Sequence, residues 1–183
     1  MTRANCPTTL SSSATWVFAY GSLIWHPGFE FSQRTKAHLP GWSRRFWQAS
    51  TDHRGVPGAP GRVVTLVRHP DHICTGIAYR LDNEIDATLA YLDNREQGGY
   101  IRHYTALELP NHSSKSVLAL IYIGDIYDYQ YVGPETDDQI AETISSAVGP
   151  SGSNREYCLQ LADALRRENI RDLHVESIAS KIG

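Results

Sequence analysis

The chain has 183 residues, of which 41% are hydrophobic and 20% are charged, as is typical of a folded soluble domain. Its 17 basic and 20 acidic side chains give a net charge of −3, so it lacks the basic excess that binding to a phosphate backbone requires. It contains no run of 18 apolar residues, which argues against a membrane-spanning helix. We therefore expect neither nucleic acid nor a membrane as a partner.

The first fifteen residues, MTRANCPTTLSSSAT, are rich in serine and threonine and hold no apolar stretch. A secretory signal needs a hydrophobic centre, so we do not expect one here. The composition predicts a disordered polar tail over residues 1–15. Residues 16–183 are expected to fold as a single domain, because their number is sufficient for one sizeable core.

Strands are predicted for most of the first two thirds of the chain. The stretch WVFAYGSLIW, residues 16–25, is aromatic and β-branched and predicts a buried strand that runs into a turn at Gly21. The same composition predicts further strands at residues 44–50, 62–68, 73–81, 101–109 and 116–124. A helix is expected from about residue 83 to residue 96, with Asp82 or Asn83 as its cap.

Helices are predicted for the last third. Residues 135–148, ETDDQIAETISSAV, have acidic residues where a first helical turn favours them. SNRE, which begins at Ser153, is a capping box that opens a helix to about Glu168. Asp172 is expected to cap a last short helix toward Ile182. Strands followed by helices predict an α+β domain.

The three cysteines, at positions 6, 74 and 158, lie far apart and form no C-x-x-C pair. This predicts neither a disulfide framework nor a zinc ribbon, and it favours the cytoplasm as the compartment. Cys158 lies on a predicted helix with Leu161 and Leu165 at core spacing. We interpret it as a small buried hydrophobic residue and not as a nucleophile.

Two other kinds of site are weakly supported. His69 and His72, in HPDH, have no carboxylate or cysteine that completes a familiar zinc spacing, and Pro70 keeps the stretch off a helix. We expect two solvated loop histidines and predict no metal site and no cofactor. Ser22 follows a strand, but YGSL lacks the second half of the G-x-S-x-G elbow and the helix that should follow. We therefore do not expect a serine nucleophile.

Glu96 is an unusual residue in an otherwise regular pattern. Leu92, Leu89 and Ile85 precede it by four, seven and eleven positions, so Glu96 continues the apolar face of the predicted helix. Burial there, at the negative end of the helix dipole, raises the pKa of a carboxyl group toward neutrality, where general bases are most efficient. The alternative is a frayed helix end, with the carboxylate in solvent and paired with Arg95 or Arg102.

The turn at Gly21 is the second candidate. Glycine has no Cβ, so a ligand can approach its backbone closely, and successive N–H groups in such a turn can hold an anion or a carbonyl oxygen. A plain turn at the end of a strand explains YGSL equally well. The residues alone leave both interpretations open.

At these residues the chain resembles the ChaC-type γ-glutamylcyclotransferases. The shared motifs occur in the same order over about residues 16–168, and they are WVFAYGSLIW, RRFWQASTDHRGVPGAPGRVVTL, GIAYRL, YLDNREQGGY, LIYIG, YVGP and AVGPSGSNREYCLQLA. The resemblance implies a compact, largely antiparallel β-barrel with surrounding helices. It also implies a lyase that acts on glutathione and releases 5-oxoproline and cysteinylglycine.

The resemblance further implies particular site residues. The catalytic glutamate of the family lies in RE-x-GGY, which places it at Glu96. The substrate-holding loop falls on Val17, Phe18, Ala19, Tyr20, Gly21, Ser22 and Leu23. Many relatives have glycine at the position of Ala19, and a methyl group there would narrow a nearby pocket. Tyr157, in the first turn of the capped helix, is predicted to reach a substrate carboxylate, although a half-buried tyrosine with a polar tip is the simpler interpretation.

Three alternatives remain open. The substrate is glutathione or another γ-glutamyl amino acid or amine, since the ring-closing chemistry is the same. A catalytically silent ligand-binding relative is a third possibility, but retention of Glu96 argues against it.

GVPGAPG, residues 55–61, is predicted to be a mobile or specially shaped loop beside the pocket, with an ordinary strand connection as the alternative.

Overall fold

The protein is described here from a computed structural model that covers residues 15–183, so most of the predicted tail lies outside the described residues. Five strands close into a barrel in the order β1-β3-β2-β4-β5. They are β1 Thr15–Ala19, β2 Gln33–Ser50, β3 Gly61–Leu81, β4 Tyr100–Glu108 and β5 Ser116–Gly124. All neighbours are antiparallel except β1 and β5. The predicted class, an α+β fold with a largely antiparallel barrel, is confirmed.

Helices follow the strands as the sequence predicts. They are α1 Ile85–Arg95, α2 Asp137–Ser146, α3 Asn154–Arg167 and α4 Leu173–Ile182, and a short 3-10 helix, Ser22–Ile24, follows β1. Two very short strands, β6 Val148–Gly149 and β7 Gly152–Ser153, pair in front of α3. No helix within residues 15–183 combines the length and the apolar character that crossing a bilayer demands.

Two strands are much longer than predicted. Residues 62–68 and 73–81 belong to the single strand β3, and β2 begins at Gln33, well before residue 44. The prediction of a loop at His69 and His72 is wrong, because both lie within β3. Arg68 pairs with Trp42 and Ile73 with Pro40, so residues 69–72 bulge opposite Gly41. A bulge needs no ladder hydrogen bond from Pro70, which is why proline is tolerated there.

Helix α1 holds its apolar face toward the core. Leu92 is fully buried, and Ile85 and Leu89 pack against the core cluster. The predicted cap is wrong: the N-cap is Glu84, in a left-handed conformation at φ 48°, and its side chain makes no capping hydrogen bond. The N–H of Glu96 donates to the Leu92 carbonyl at 2.9 Å, so the helical turn continues up to Glu96 and does not fray.

The last three helices begin at polar caps. Thr136 and Gln139 form a capping box at α2. Ser153 accepts the N–H of Glu156 at 3.1 Å, and Asp172 accepts the N–H of Val175 at 3.2 Å, so both residues cap their helices as predicted. Only this half of the predicted capping box at Ser153 is formed, because the Glu156 carboxylate pairs with Arg54 and accepts from Gln160 instead. These bonds satisfy N–H groups that lack partners in the first helical turn.

Asn154 fixes α3 to the barrel. It is fully buried, its Oδ1 accepts the N–H of Arg62 at 2.6 Å, and its Nδ2 donates to the carbonyl of the same residue at 2.8 Å. The Asn154 side-chain amide thus makes with Arg62 of β3 the two backbone hydrogen bonds that a neighbouring strand would otherwise make. The first turn of α3, including Tyr157, is thereby held against the barrel.

Candidate active site

A cavity of about 610 Å³ lies at one end of the barrel, a size typical of small-molecule sites. Four segments supply its walls: the turn after β1, the connection after β2, the carboxyl end of α1 and the first turns of α3. The lining residues used below are Phe18, Tyr20, Gly21, Ser22, Leu23, Asp52, His53, Arg54, Arg95, Glu96, Tyr100, Ser151 and Tyr157.

Glu96 lies in this cavity, as expected from its place on the apolar face of α1. Its side chain is 19% exposed, and Oε1 lies 3.2 Å from Nε of Arg95. Burial raises the pKa of the Glu96 carboxyl above the 4.5 of an exposed glutamate, while the positive charge of Arg95 partly opposes the rise. The carboxyl group therefore has a higher proton affinity than a solvated one and is still anchored by an ion pair.

Arg95 connects Glu96 to the turn after β1. Its Nη2 donates to the Ser22 hydroxyl oxygen at 2.9 Å, and its Nη1 donates to the His26 carbonyl at 2.9 Å. Arg102, the other partner considered for Glu96, is paired with Asp93 instead. Because one guanidinium reaches both groups, the candidate base and the turn are held in a fixed relation.

The turn itself is closely packed. A Cβ on Gly21 would lie 3.1 Å from Cγ2 of Val64 and 3.4 Å from the Tyr157 hydroxyl, so a larger residue there would crowd the cavity. Phe18, Tyr20, Gly21, Ser22 and Leu23 line the cavity, whereas Val17 and Ala19 are buried and do not. From Val17 to Tyr20 the non-lining and lining residues alternate, as side chains in a strand do, whereas residues 21–23 of the turn all line the cavity. The Ala19 methyl group is therefore not part of the cavity wall.

Three tyrosines lie near the carboxyl group: Tyr20 and Tyr157 are buried, and Tyr100 is half-buried. Tyr20 donates to the Tyr122 carbonyl and Tyr100 to the Val64 carbonyl, each at 2.7 Å. Burial raises the pKa of the Tyr20, Tyr100 and Tyr157 phenols, and the nearby negative charge of Glu96 adds to the rise. All three hydroxyls therefore stay protonated at neutral pH.

Tyr157 differs from the other two in its hydrogen bonding. Its hydroxyl accepts the N–H of Val64 at 3.5 Å, and within residues 15–183 no protein acceptor for its own hydrogen is found. The ring packs against Trp25, with centroids 5.7 Å apart. The aromatic part is thus fixed while the hydroxyl hydrogen stays available to a ligand.

A polar wall, which the residue patterns did not predict, faces the tyrosines. Asp52, His53 and Arg54 follow β2, in the TDHR part of a shared motif, which was the available signal. The Arg54 guanidinium lies 5.7 Å from the centre of the Tyr157 ring, and its Nη1 lies 3.3 Å from Oε2 of Glu156. Nδ1 of His53 lies 3.2 Å from the Ser151 hydroxyl. The wall thus combines one guanidinium, which is paired with Glu156, with the Asp52 carboxylate and the His53 ring, so it offers polar groups of both kinds to a ligand.

The loop of residues 55–61 forms a tight turn behind this wall. Val56 and Ala59 exchange two backbone hydrogen bonds, at 3.2 and 3.0 Å, and Gly58 has φ +88°, which favours glycine. The loop residues do not themselves line the cavity. Its influence on ligand binding stays a prediction.

The remaining candidates lie away from the cavity. The His69 and His72 rings stack with centroids 3.5 Å apart, and within the described part of the chain no three His, Cys, Asp or Glu residues are grouped for a metal ion. Cys74 and Cys158 are buried free thiols. Burial raises their pKa to about 11 and about 12 respectively, so neither is a reactive thiolate at neutral pH.

The fold and this site together define a barrel protein with a small-molecule cavity arranged around one carboxyl group of raised proton affinity. The sequence profile of the family described as "ChaC-like protein" matches residues 15–183. The chain belongs to this ChaC-like family, and the resemblance noted from the motifs is confirmed.

Curated relatives and solved structures agree with this assignment. The chain is 37% identical over 175 residues to glutathione-specific γ-glutamylcyclotransferase 1 of Mus musculus, covering 93% of this chain and 78% of the mouse protein. It is 37% identical over 203 residues to the glutathione-specific γ-glutamylcyclotransferase of Saccharomyces cerevisiae, covering 86% and 88%. A crystal structure of a yeast γ-glutamylcyclotransferase specific to glutathione superposes with a TM-score of 0.86 at 33% identity, covering 93% and 96%.

Proposed function

We propose that this protein is a γ-glutamylcyclotransferase that cleaves glutathione to 5-oxoproline and cysteinylglycine. The observation that carries the proposal is the position of Glu96: a largely buried carboxyl group of raised pKa in a cavity beside the Gly21 turn. The protein's membership of the ChaC-like family and the names of its relatives support glutathione as the substrate.

The reaction needs only a proton carrier and a polar site. The α-amine nitrogen of the γ-glutamyl group attacks its own γ-carbonyl carbon, and the new C–N bond closes a five-membered ring. The C–N bond to the cysteinyl nitrogen breaks, and this nitrogen leaves as the amine of cysteinylglycine. No water is consumed and no electron is transferred. Because the step is intramolecular, proximity is already supplied and no covalent nucleophile is required.

Glu96 is the proposed proton carrier. Its carboxylate takes a proton from the substrate ammonium, so that the amine can attack, and returns a proton to the departing cysteinyl nitrogen. The raised pKa suits both halves of this transfer, because a strongly acidic carboxyl group would hold the proton too weakly to collect it. The ion pair with Arg95 keeps the carboxylate oriented toward the turn.

The turn supplies hydrogen-bond donors to the reacting carbonyl group. We assign to the backbone N–H groups of Gly21 and Ser22 the stabilisation of the oxygen that becomes negative as the ring closes. Tyr157, whose hydroxyl hydrogen has no acceptor among residues 15–183, is assigned to a substrate carboxylate. The Arg54 guanidinium lies on the same side of the cavity, near the Tyr157 ring, and suits a substrate that carries carboxylates.

The test is incubation of the purified protein with glutathione, followed by mass spectrometry of the products. We expect equal amounts of 5-oxoproline and cysteinylglycine, formed at a rate lower by roughly 10²-fold or more with the Glu96→Gln variant. γ-Glutamyl-alanine is the comparison substrate. If the protein cyclised it faster than glutathione, the proposed substrate would be the broader class of γ-glutamyl amino acids. Binding of glutathione without release of 5-oxoproline would instead indicate a silent relative.

A further inference from the structure

Arg44, in β2, is the largest fully buried side chain of the described residues, with 0% of it exposed. A buried guanidinium is costly unless its donors are matched. Here they are: Nε donates to the Tyr20 carbonyl at 2.6 Å, Nη2 to the Thr75 carbonyl at 2.7 Å, and Nη1 to Oδ2 of Asp172 at 2.5 Å. One side chain thus joins the turn after β1 to β3 and to the start of α4.

The bond to Tyr20 fixes the direction of the next N–H group. A trans peptide unit is planar, with its C=O and the following N–H pointing in opposite directions. The Tyr20 carbonyl points to Arg44, which does not line the cavity, so the Gly21 N–H points away from Arg44, and Gly21 itself is a lining residue. The Tyr20 side chain is held as well, because its hydroxyl donates to the Tyr122 carbonyl.

The bond to Asp172 anchors the other end of Arg44. Oδ1 of Asp172 accepts the N–H of Val175 and so caps α4, while Oδ2 accepts from Arg44. The position of the guanidinium is therefore set by the first turn of a helix that does not itself line the cavity. A lysine cannot take this role fully, since a single ammonium group lacks the fork that reaches three acceptors in different directions.

We propose that Arg44 is a positioning residue for the cyclisation: it orients the Tyr20–Gly21 peptide so that the Gly21 N–H meets the developing oxyanion. This rests on the proposed function, which assigns that N–H to the reacting carbonyl oxygen. Since the contact strengthens in the transition state, loss of Arg44 should lower kcat and leave KM nearly unchanged.

The test compares Arg44→Lys with Arg62→Lys. Arg62 is a matched control, because it is also buried and donates to both oxygens of a carboxylate, Glu135, at 2.7 and 3.0 Å, but its side chain makes no hydrogen bond to the turn among the described residues. Both variants lose a guanidinium fork and keep the charge, so both should lower Tm. Kinetics are measured at a temperature at which circular dichroism shows each variant folded.

We expect Arg44→Lys to lower kcat by about tenfold or more, part of the roughly 10²–10³-fold loss typical when an oxyanion donor is removed, with KM changed by less than about twofold. Arg62→Lys should keep both constants within about twofold. If Arg44→Lys does not fold, Asp172→Asn is compared with Glu135→Gln, because each variant weakens the carboxylate partner of one of the two arginines. The expected loss of kcat in Asp172→Asn is smaller, and the fold is kept because asparagine still caps α4.

Wild-type kcat in the folded Arg44→Lys variant would overturn this inference and leave the proposed function standing. An equal loss in the Arg62 variant would overturn it too, because the effect would then be one of general stability. A wild-type protein that does not cyclise glutathione would instead remove the proposed function, and this inference with it.

Discussion

Arg95 and Glu96 are consecutive in the chain and are also paired through their side chains, with Nε of Arg95 3.2 Å from Oε1 of Glu96. Neighbouring helical residues do not normally face one another. They meet here because Glu96 is the last residue of the α1 turn, where the backbone leaves helical geometry at φ −95° and ψ 42°. The positive charge of Arg95 lowers the Glu96 pKa and so opposes the rise caused by burial. A second nitrogen of the Arg95 guanidinium, Nη2, donates to the Ser22 hydroxyl.

Replacing Glu96 by glutamine should remove catalysis while preserving the fold. The amide keeps the volume of the carboxyl group but accepts no proton, so kcat should fall by the roughly 10²–10⁴-fold typical of general acid–base catalysis, with glutathione affinity nearly unchanged. Thermal unfolding at neutral pH should show equal or higher stability, because a buried charge is removed. Glu142→Gln, on the exposed face of α2, is the control and should keep wild-type activity. Turnover near the wild-type rate in Glu96→Gln would contradict the assignment of Glu96 as the general base.

The pH dependence of kcat/KM should report the Glu96 pKa. The base must be deprotonated, so activity should rise with pH through a midpoint above 4.5, because burial raises this pKa. Arg95→Gln removes a positive charge that lowers the pKa and should move the midpoint to higher pH, whereas Arg95→Lys should move it less. A midpoint at or below 4.5 in the wild type would contradict a desolvated base.

Tyr157→Phe should weaken substrate binding. The hydroxyl hydrogen has no acceptor within residues 15–183, so its assigned partner is a substrate carboxylate, and its loss should raise KM several-fold with a smaller effect on kcat. Tyr129→Phe, at a tyrosine that is 83% exposed, serves as the control in the same steady-state assay. An unchanged KM in Tyr157→Phe would mean that the hydroxyl meets only water.

Shortening the loop of residues 55–61 should also weaken binding. The loop directly follows the polar wall of Asp52, His53 and Arg54, so deleting its tight turn is expected to displace those side chains and raise KM for glutathione several-fold. Isothermal titration with the inactive Glu96→Gln background measures the affinity without turnover. Unchanged affinity would show that the loop is an ordinary connection.

Stability below neutral pH should depend on His174. Its Nε2 accepts the N–H of Phe46 at 3.1 Å, and Nδ1 lies 3.3 Å from Oδ1 of Asp137. Burial, assisted by Arg45, lowers the His174 pKa, although Asp137 and Asp172 partly oppose the change. A histidine with a lower pKa in the folded than in the unfolded chain loses stabilisation as pH falls from its ordinary value through the folded one.

Urea unfolding of wild type and His174→Gln between pH 7.5 and pH 5 measures this contribution. The wild type should lose stability over about this range, around the ordinary histidine value of about 6.5, and the variant should lose less of it. His103→Gln, at an exposed histidine of β4, should behave as wild type. Parallel curves for wild type and His174→Gln would exclude His174 as the source.

Local patterns predicted local structure well. The caps at Ser153 and Asp172 are side-chain signals within one helical turn. The spacing of Leu89 and Leu92 was enough to predict that Glu96 faces inward. The long strand β3 was missed because Pro70 resembles a strand breaker, and only the pairing with β2 shows that a bulge accommodates it. Similarly, Arg44 looked like one of several cations in a strand, since its three acceptors come from distant parts of the chain.

The polar wall shows the same limit for the site. Asp52, His53 and Arg54 lie more than forty residues from Glu96 in sequence, and only closure of the barrel brings them to one cavity. Motif resemblance included them without giving them a role. The order of strands around a barrel is set by long-range pairing, which amphipathic periodicity does not encode.

The place of β1 in the barrel also determines when the cavity can form during synthesis. Its Trp16 and Val17 pair with Ala119 and Leu120 of β5, about a hundred residues later, so one edge of the first-made strand has no neighbour until the ribosome has added β5. Loop closure over such a distance is slow and leaves strand edges open to other chains. The turn that follows β1 is therefore translated before the other strands of the barrel but is among its last parts to be completed, and an unfinished barrel has no cavity to hold a substrate.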